Sequence, residues 1–169
     1  MGAWGVTARE SDSGLDLLAV IETKCLKPID FKHFDVAAIM EFLKSHIIEK
    51  IRIANRGCSE KRMAYYIEVN FQDDYNDAVL LVSECLADYY QHGELVIDDY
   101  DAEIERKITQ FIFTDSMLDE LLEELHKMLD PKSGLYDVWS EDSDRQEWTL
   151  HMKMVCDCLT GLKGGGGHE

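Results

Sequence analysis

Asp98, Asp99, Asp101, Glu103 and Glu105 make the densest run of carboxylates in the chain. Such a run can bind hard cations or the Lys and Arg side chains of a partner. A calcium loop starting at Asp99 needs glycine in sixth place and glutamate in twelfth, where Ile104 and Gln110 stand, so that motif fails. In an extended chain Asp99, Asp101, Glu103 and Glu105 share one face, a row of like charges that is costly unless solvated or neutralised. The row reads either as a docking stripe for basic groups or as protection of an edge strand against another chain. A second acidic set, Asp119, Glu120, Glu123 and Glu124, projects from the outer face of an amphipathic segment with only Lys127 nearby to offset it. It reads as a second contact surface or as plain solvation.

Glu10, Asp12, Asp98 and Asp99 could serve general acid/base or magnesium chemistry in a cleft, but nothing in their spacing singles out a pair. Cys156 and Cys158 flank Asp157, with His151 close by. On a helix, residues two apart lie about 200° around the axis, so the two thiols cannot share one zinc ion. Cys58, after Gly57, has a loop-like setting with His33, His46 and His92 as remote bases, and no nucleophile elbow, zinc helix or phosphate-cradling glycine loop occurs. No catalytic residue, metal or cofactor is assigned.

The elements that must hold these groups belong to a chain of 169 residues, 46% hydrophobic and 30% charged, the ordinary range for a globular domain able to bury its own core. Thirty-four acids against 17 bases give a net charge of -17. Residues 1 to 70 hold ten of each sign, so the whole excess lies beyond residue 70. That field opposes nucleic acid and anionic membranes and favours a basic protein as partner. No apolar run approaches a membrane span, and the opening residues lack a signal-peptide pattern, so the expected setting is the cytoplasm. The odd count of five cysteines, in a chain large enough not to need staples, fits reduced thiols. Two prolines and no interior low-complexity stretch predict a single domain over residues 1–163, with the glycine-rich residues 164–169 as a flexible tail.

Periodicity supplies the elements. Ser13 with Asp16 fits a capping box, followed by Leu15, Leu18 and Glu22 at helical spacing before Pro28. From Asp35, the residues Val36, Ile39, Met40, Leu43, Ile47, Ile51 and Ala54 predict a long amphipathic helix. Tyr65, Ile67, Val69 and Phe71 alternate with Tyr66, Glu68, Asn70 and Gln72, which predicts a strand between Met63 and Gln72. Asp73 or Asp74 would then cap a helix reaching Gly93. Residues 95–97 and 107–113 are preferred as a hairpin, although Tyr100, Ile104 and Ile108 also fit a helix. Ser116 with Asp119 opens a leucine-rich helix that ends before Pro131. Residues 133–139 read as a short helical turn, and Ser143 with Gln146 caps a final helix carrying Trp148, Met152, Val155 and Leu159. The expected fold is α+β and mainly helical, about five to six helices around a small antiparallel sheet of about three strands.

Met1-Gly2-Ala3-Trp4-Gly5, then Glu10-Ser11-Asp12, and at the far end Ser133-Gly134-Leu135-Tyr136 with Trp139 and Trp148, resemble the ends of a bacterial family of domains of unknown function (DUF4259-like). The resemblance covers about the first twenty and last forty residues. It implies a bacterial cytoplasmic setting and no particular activity. Read physically, Trp4, Trp139 and Trp148 are packing residues, and Glu10 and Asp12 favour the positive end of the first helix. The functional expectation is a non-enzymatic acidic protein-binding module, immunity or antitoxin-like, with a small carboxylate-based or metal-assisted hydrolase as the alternative.

Overall fold

The structure, a computed structural model, describes residues 7–26, 33–99, 104–133 and 142–165. Short polar side chains set where its helices begin. Glu10 Oε2 accepts the backbone N–H of Thr7 at 3.1 Å and closes a 3₁₀ turn over Ala8–Glu10. Ser11, not the expected Ser13, caps α1 (Asp12–Val20), its hydroxyl accepting from Gly14 N at 3.0 Å. The helix widens into a π-helical segment, Ile21–Leu26. Leu17 and Ile21 are its buried apolar residues and Leu18 packs against the core, whereas Leu15 is exposed, so the inner face is turned by one position from the predicted one.

After β1 (His33–Asp35), Asp35 Oδ1 accepts from Ala38 N at 3.1 Å and starts α2 (Val36–Ala54). Six of the seven predicted apolar positions of α2 are buried; the seventh, Ala54, is exposed at the end of the helix. Gly57 then turns the chain at φ +84°, a conformation that costs glycine no Cβ clash. Ser59 caps α3 (Glu60–His92), which runs unbroken for 33 residues. The strand predicted between Met63 and Gln72 is therefore the first third of this helix, and Asp73 and Asp74 lie inside it. Ile67, Phe71 and Tyr75, spaced by four, pack against the core from one side of α3. That packing outweighs the β propensity of the individual residues. Gly93, at φ +72°, closes α3 by donating its N–H to Tyr89 O at 2.8 Å.

Two small sheets follow in place of one three-stranded sheet. β2 (Leu95–Asp99) pairs antiparallel with β3 (Ile104–Ile108), so a hairpin forms and 104–108 is strand, but the second strand is not the predicted 107–113. Pairing stops at Thr109, and β4 (Gln110–Ile112) instead joins β1 in parallel, with Phe34 opposite Phe111. Those rings stack at 4.7 Å, and Tyr89 of α3 stacks on Phe111 at 4.4 Å. Thr114, not Ser116, caps α4 (Asp115–Leu129) by accepting from Met117 N at 3.3 Å. The final helix, α5, spans Asp142–Gly164. The predicted turn at 133–139 lies almost wholly outside the described residues.

Among the described residues the protein is mainly helical, α+β, with five α-helices. The second half of α3 forms the axis of the core: between Ala78 and Ala87 every residue is buried except Leu80, which is partly so. Leu43 and Ile47 of α2, Leu118 and Leu125 of α4, and Met152 and Leu159 of α5 close around it with almost no exposure. Each such side chain contributes about 2 kcal/mol by leaving water. No described helix is long and apolar enough to cross a membrane.

Candidate functional site

The buried run of α3 contains one ionisable carboxylate, Glu84, only 4% exposed. Its two oxygens both accept the N–H of Ala8, at 2.9 and 2.8 Å, and Oε1 lies 3.0 Å from His151 Nε2 on α5. The carboxylate thereby ties the N-terminal turn and α5 to α3. One turn further along α3, Asp88 pairs with Arg9 of the 3₁₀ turn. These groups line a cavity of about 280 Å³ between the N-terminal turn, α3 and α5. The sequence draws attention to His151 only beside Cys156 and Cys158, and does not single out Glu84. The available signal was a charged residue inside an apolar stretch, which requires a partner from elsewhere in the chain.

Chemically, this arrangement is a carboxylate that orients an imidazole beside an Arg–Asp ion pair. The neighbouring thiol is not activated. Burial pushes Cys85 up to about 12, with Arg9 opposing and Glu84 and Asp88 adding to the rise. Cys156 and Cys158 are also raised, chiefly by burial, then by Asp157. Both are buried while Asp157 between them is exposed, as expected for small groups packed on the two flanks of a central helix. Among the described residues no group of three or more His, Cys, Asp or Glu side chains is placed to hold a metal ion.

The predicted acidic sites fare differently. Asp98 and Asp99 stand in β2 and Glu105 in β3, with Asp98 opposite Glu105 and Asp99 opposite Ile104. The expected single row on one strand is thus divided between two antiparallel strands. Asp101 and Glu103 lie outside the described residues, as do Trp4 and Trp139. Glu10 serves the 3₁₀ turn and Asp12 occupies the first turn of α1, so both act at helix starts. Trp148 is buried in α5.

On α4, Leu118, Leu121, Leu122, Leu125 and Met128 face the core and leave Asp115, Asp119, Glu120 and Glu123 exposed. Lys163 of α5 pairs with Asp119. Lys127 reaches Glu123 at 3.1 Å and Glu124 at 2.9 Å, and Gln72 of α3 donates to Glu124 at 3.3 Å. The predicted set is therefore one contiguous surface, bordered by two lysines and joined at Glu124 to α3.

Compared with protein-family models, curated proteins and solved structures, the chain matches none.

Proposed function

We propose that the protein is an acidic binding module whose partner is a basic protein, in the manner of an immunity protein or antitoxin, and that the outer face of α4 is its contact surface. The observation that carries this reading is the exposure of Asp115, Asp119, Glu120 and Glu123 along a single rigid helix. A helix face holds its charges in fixed register, which gives orientation as well as attraction. Lys127 and Lys163 engage part of the set in exposed ion pairs, which are weak and exchange readily for a partner's basic groups.

The test is capture from a source-cell lysate at low and high salt, comparing the wild type with a chain carrying Glu120→Lys and Glu123→Lys. Basic proteins should be enriched at low salt, released at high salt and lost from the reversed chain. Equal capture by both chains would remove α4 as the contact surface, and salt-independent capture would remove charge steering.

A further inference from the structure

The end of α2 and the beginning of α3 form an arm whose charge opposes that of the rest of the molecule. Residues 50–62 carry five bases, Lys50, Arg52, Arg56, Lys61 and Arg62, against one acid, Glu60. The last four of these bases are exposed, and none of those four has an acid within ion-pair distance among the described residues. Residues 60–77 of α3 contribute no fully buried side chain, in contrast to Ala78–Ala87. Instead the arm exposes Ile53 at 48%, Tyr65 at 59% and Val69 at 48%.

The order of these groups along the surface is informative. Arg62, Tyr65, Val69 and Gln72 follow at helical steps of three, four and three, so they share one face of α3. That face ends where Gln72 meets Glu124 of α4. A continuous strip therefore runs from a basic tip, across the exposed Tyr65 and Val69 with Glu68 at their edge, to an acidic end. Ten residues of helix separate Arg62 from Gln72, about 15 Å. That exceeds the screening length of about 8 Å at physiological salt, so the two ends do not neutralise each other within one chain.

A strip ordered positive, apolar, negative is complementary to itself after a half-turn. We propose that two copies of this chain pair about a twofold axis, with the arm of each on α4 of the other and the Tyr65 and Val69 stripes meeting at the centre. This rests on the reading of α4 as a surface for basic groups and takes those groups from the arm of a second copy. Twofold pairing uses each contact twice and closes the assembly at two chains, whereas a single arm-to-α4 contact would extend into open filaments. The net negative charge of each copy does not prevent it, because screening leaves the groups nearest the contact to decide.

The test is the mass in solution, by light scattering, of the full chain and two charge-reversed variants. One carries Arg56→Glu and Arg62→Glu; the other carries Glu120→Lys and Glu123→Lys. All substituted positions are exposed, and far-UV melting curves check that each variant folds. The wild type should be a dimer at physiological salt and shift toward monomer at high salt. Each variant alone should dimerise at least about tenfold more weakly. An equimolar mixture of the two should recover the dimer, because each acidic arm then meets a basic α4 and each basic arm an acidic one. A monomeric wild type, a dimer indifferent to both reversals, or a mixture that stays monomeric would overturn the pairing. A labelled oligolysine peptide separates the two readings. If it binds the wild type and not the α4-reversed chain while no dimer forms, the pairing fails and the α4 surface stands; if it binds neither chain, the α4 reading fails as well.

Discussion

Glu84 of α3 and His151 of α5 meet at 3.0 Å inside the molecule, and the same carboxylate holds the backbone of Ala8. One buried side chain thereby fixes three separate segments, and its charge is tolerable only because N–H groups surround it.

Replacing Glu84 should therefore cost more than an average core substitution. Glu84→Leu leaves the Ala8 amide and the His151 ring without an acceptor, and the expected loss is about 3 kcal/mol. Glu84→Gln keeps one carbonyl acceptor and should lose about half as much. Urea unfolding of both variants measures this, and a double-mutant cycle with His151→Gln isolates the 3.0 Å contact. Additivity within error would show that the two side chains are not coupled.

Gly14 gives a second prediction of unusual sign. Alanine in place of glycine within a helix ordinarily stabilises by up to about 1 kcal/mol. Here a Cβ on Gly14 would lie 1.8 Å from the carbonyl oxygen of Ala8, a backbone atom that the Glu84 and Ser11 contacts hold in place. Gly14→Ala should destabilise by about 2 kcal/mol or more, with the 3₁₀ turn displaced from α3. Thermal melting together with amide exchange at residues 7–11 reads both effects. A variant as stable as the wild type would show that the turn is free to move.

How much of this was legible in the sequence depended on the length of each signal. α2, α4 and α5 declare themselves because one face of each repeats over several turns, as in the run Leu118, Leu121, Leu122, Leu125, Met128. The first part of α3 misleads because Tyr65 and Val69 remain apolar on the solvent side while Ile67 and Phe71 face inward, so the two faces together imitate a two-residue repeat. β1 has three residues, too few for any periodic signal, and its pairing with β4 joins residues far apart in the chain. The exposed carboxylates of α4 follow directly from its apolar face. Glu84 with His151 does not, since nothing local to either residue names a partner 67 positions away.

The cysteines should differ sharply in reactivity. Cys85 has no exposed surface and burial pushes its thiol up to about 12, whereas Cys58, between α2 and α3, is half-buried. Because only the thiolate attacks, iodoacetamide at neutral pH should modify Cys58 well before Cys85 in the native chain. Peptide mapping by mass spectrometry decides it. Early labelling of Cys85 would mean that α3 opens locally far more often than its packing allows.

Asp77 makes stability depend on pH in the direction opposite to most carboxylates. It packs where α1 and α2 meet α3, facing Ser13 and Asp16 of α1, His46 and Lys50 of α2, and Asp73 and Asp74 on its own helix. Burial, then the like charge of Asp74, raises it from 3.8 to about 6; Asp73 adds to the rise, while the Ser13 hydroxyl and Lys50 act against it. The folded state thus binds the proton more tightly than the unfolded chain. Stability from this group is present below the unfolded value near 3.8 and is lost as pH rises through about 6, leaving an ionised, penalised carboxylate at neutral pH. Asp77→Asn removes that penalty while keeping the shape and a hydrogen bond to Ser13. At pH 7.5 the variant should be more stable by on the order of 1 kcal/mol, less than the full shift implies because the group is only partly buried. Toward pH 4 the advantage should vanish, since Asp77 is then neutral when folded and the two side chains become nearly equivalent. Denaturant melts of both chains across that range test the sign: a variant less stable at pH 7.5, or an advantage that grows toward acid, would show that the ionised carboxylate is favoured by its partners there.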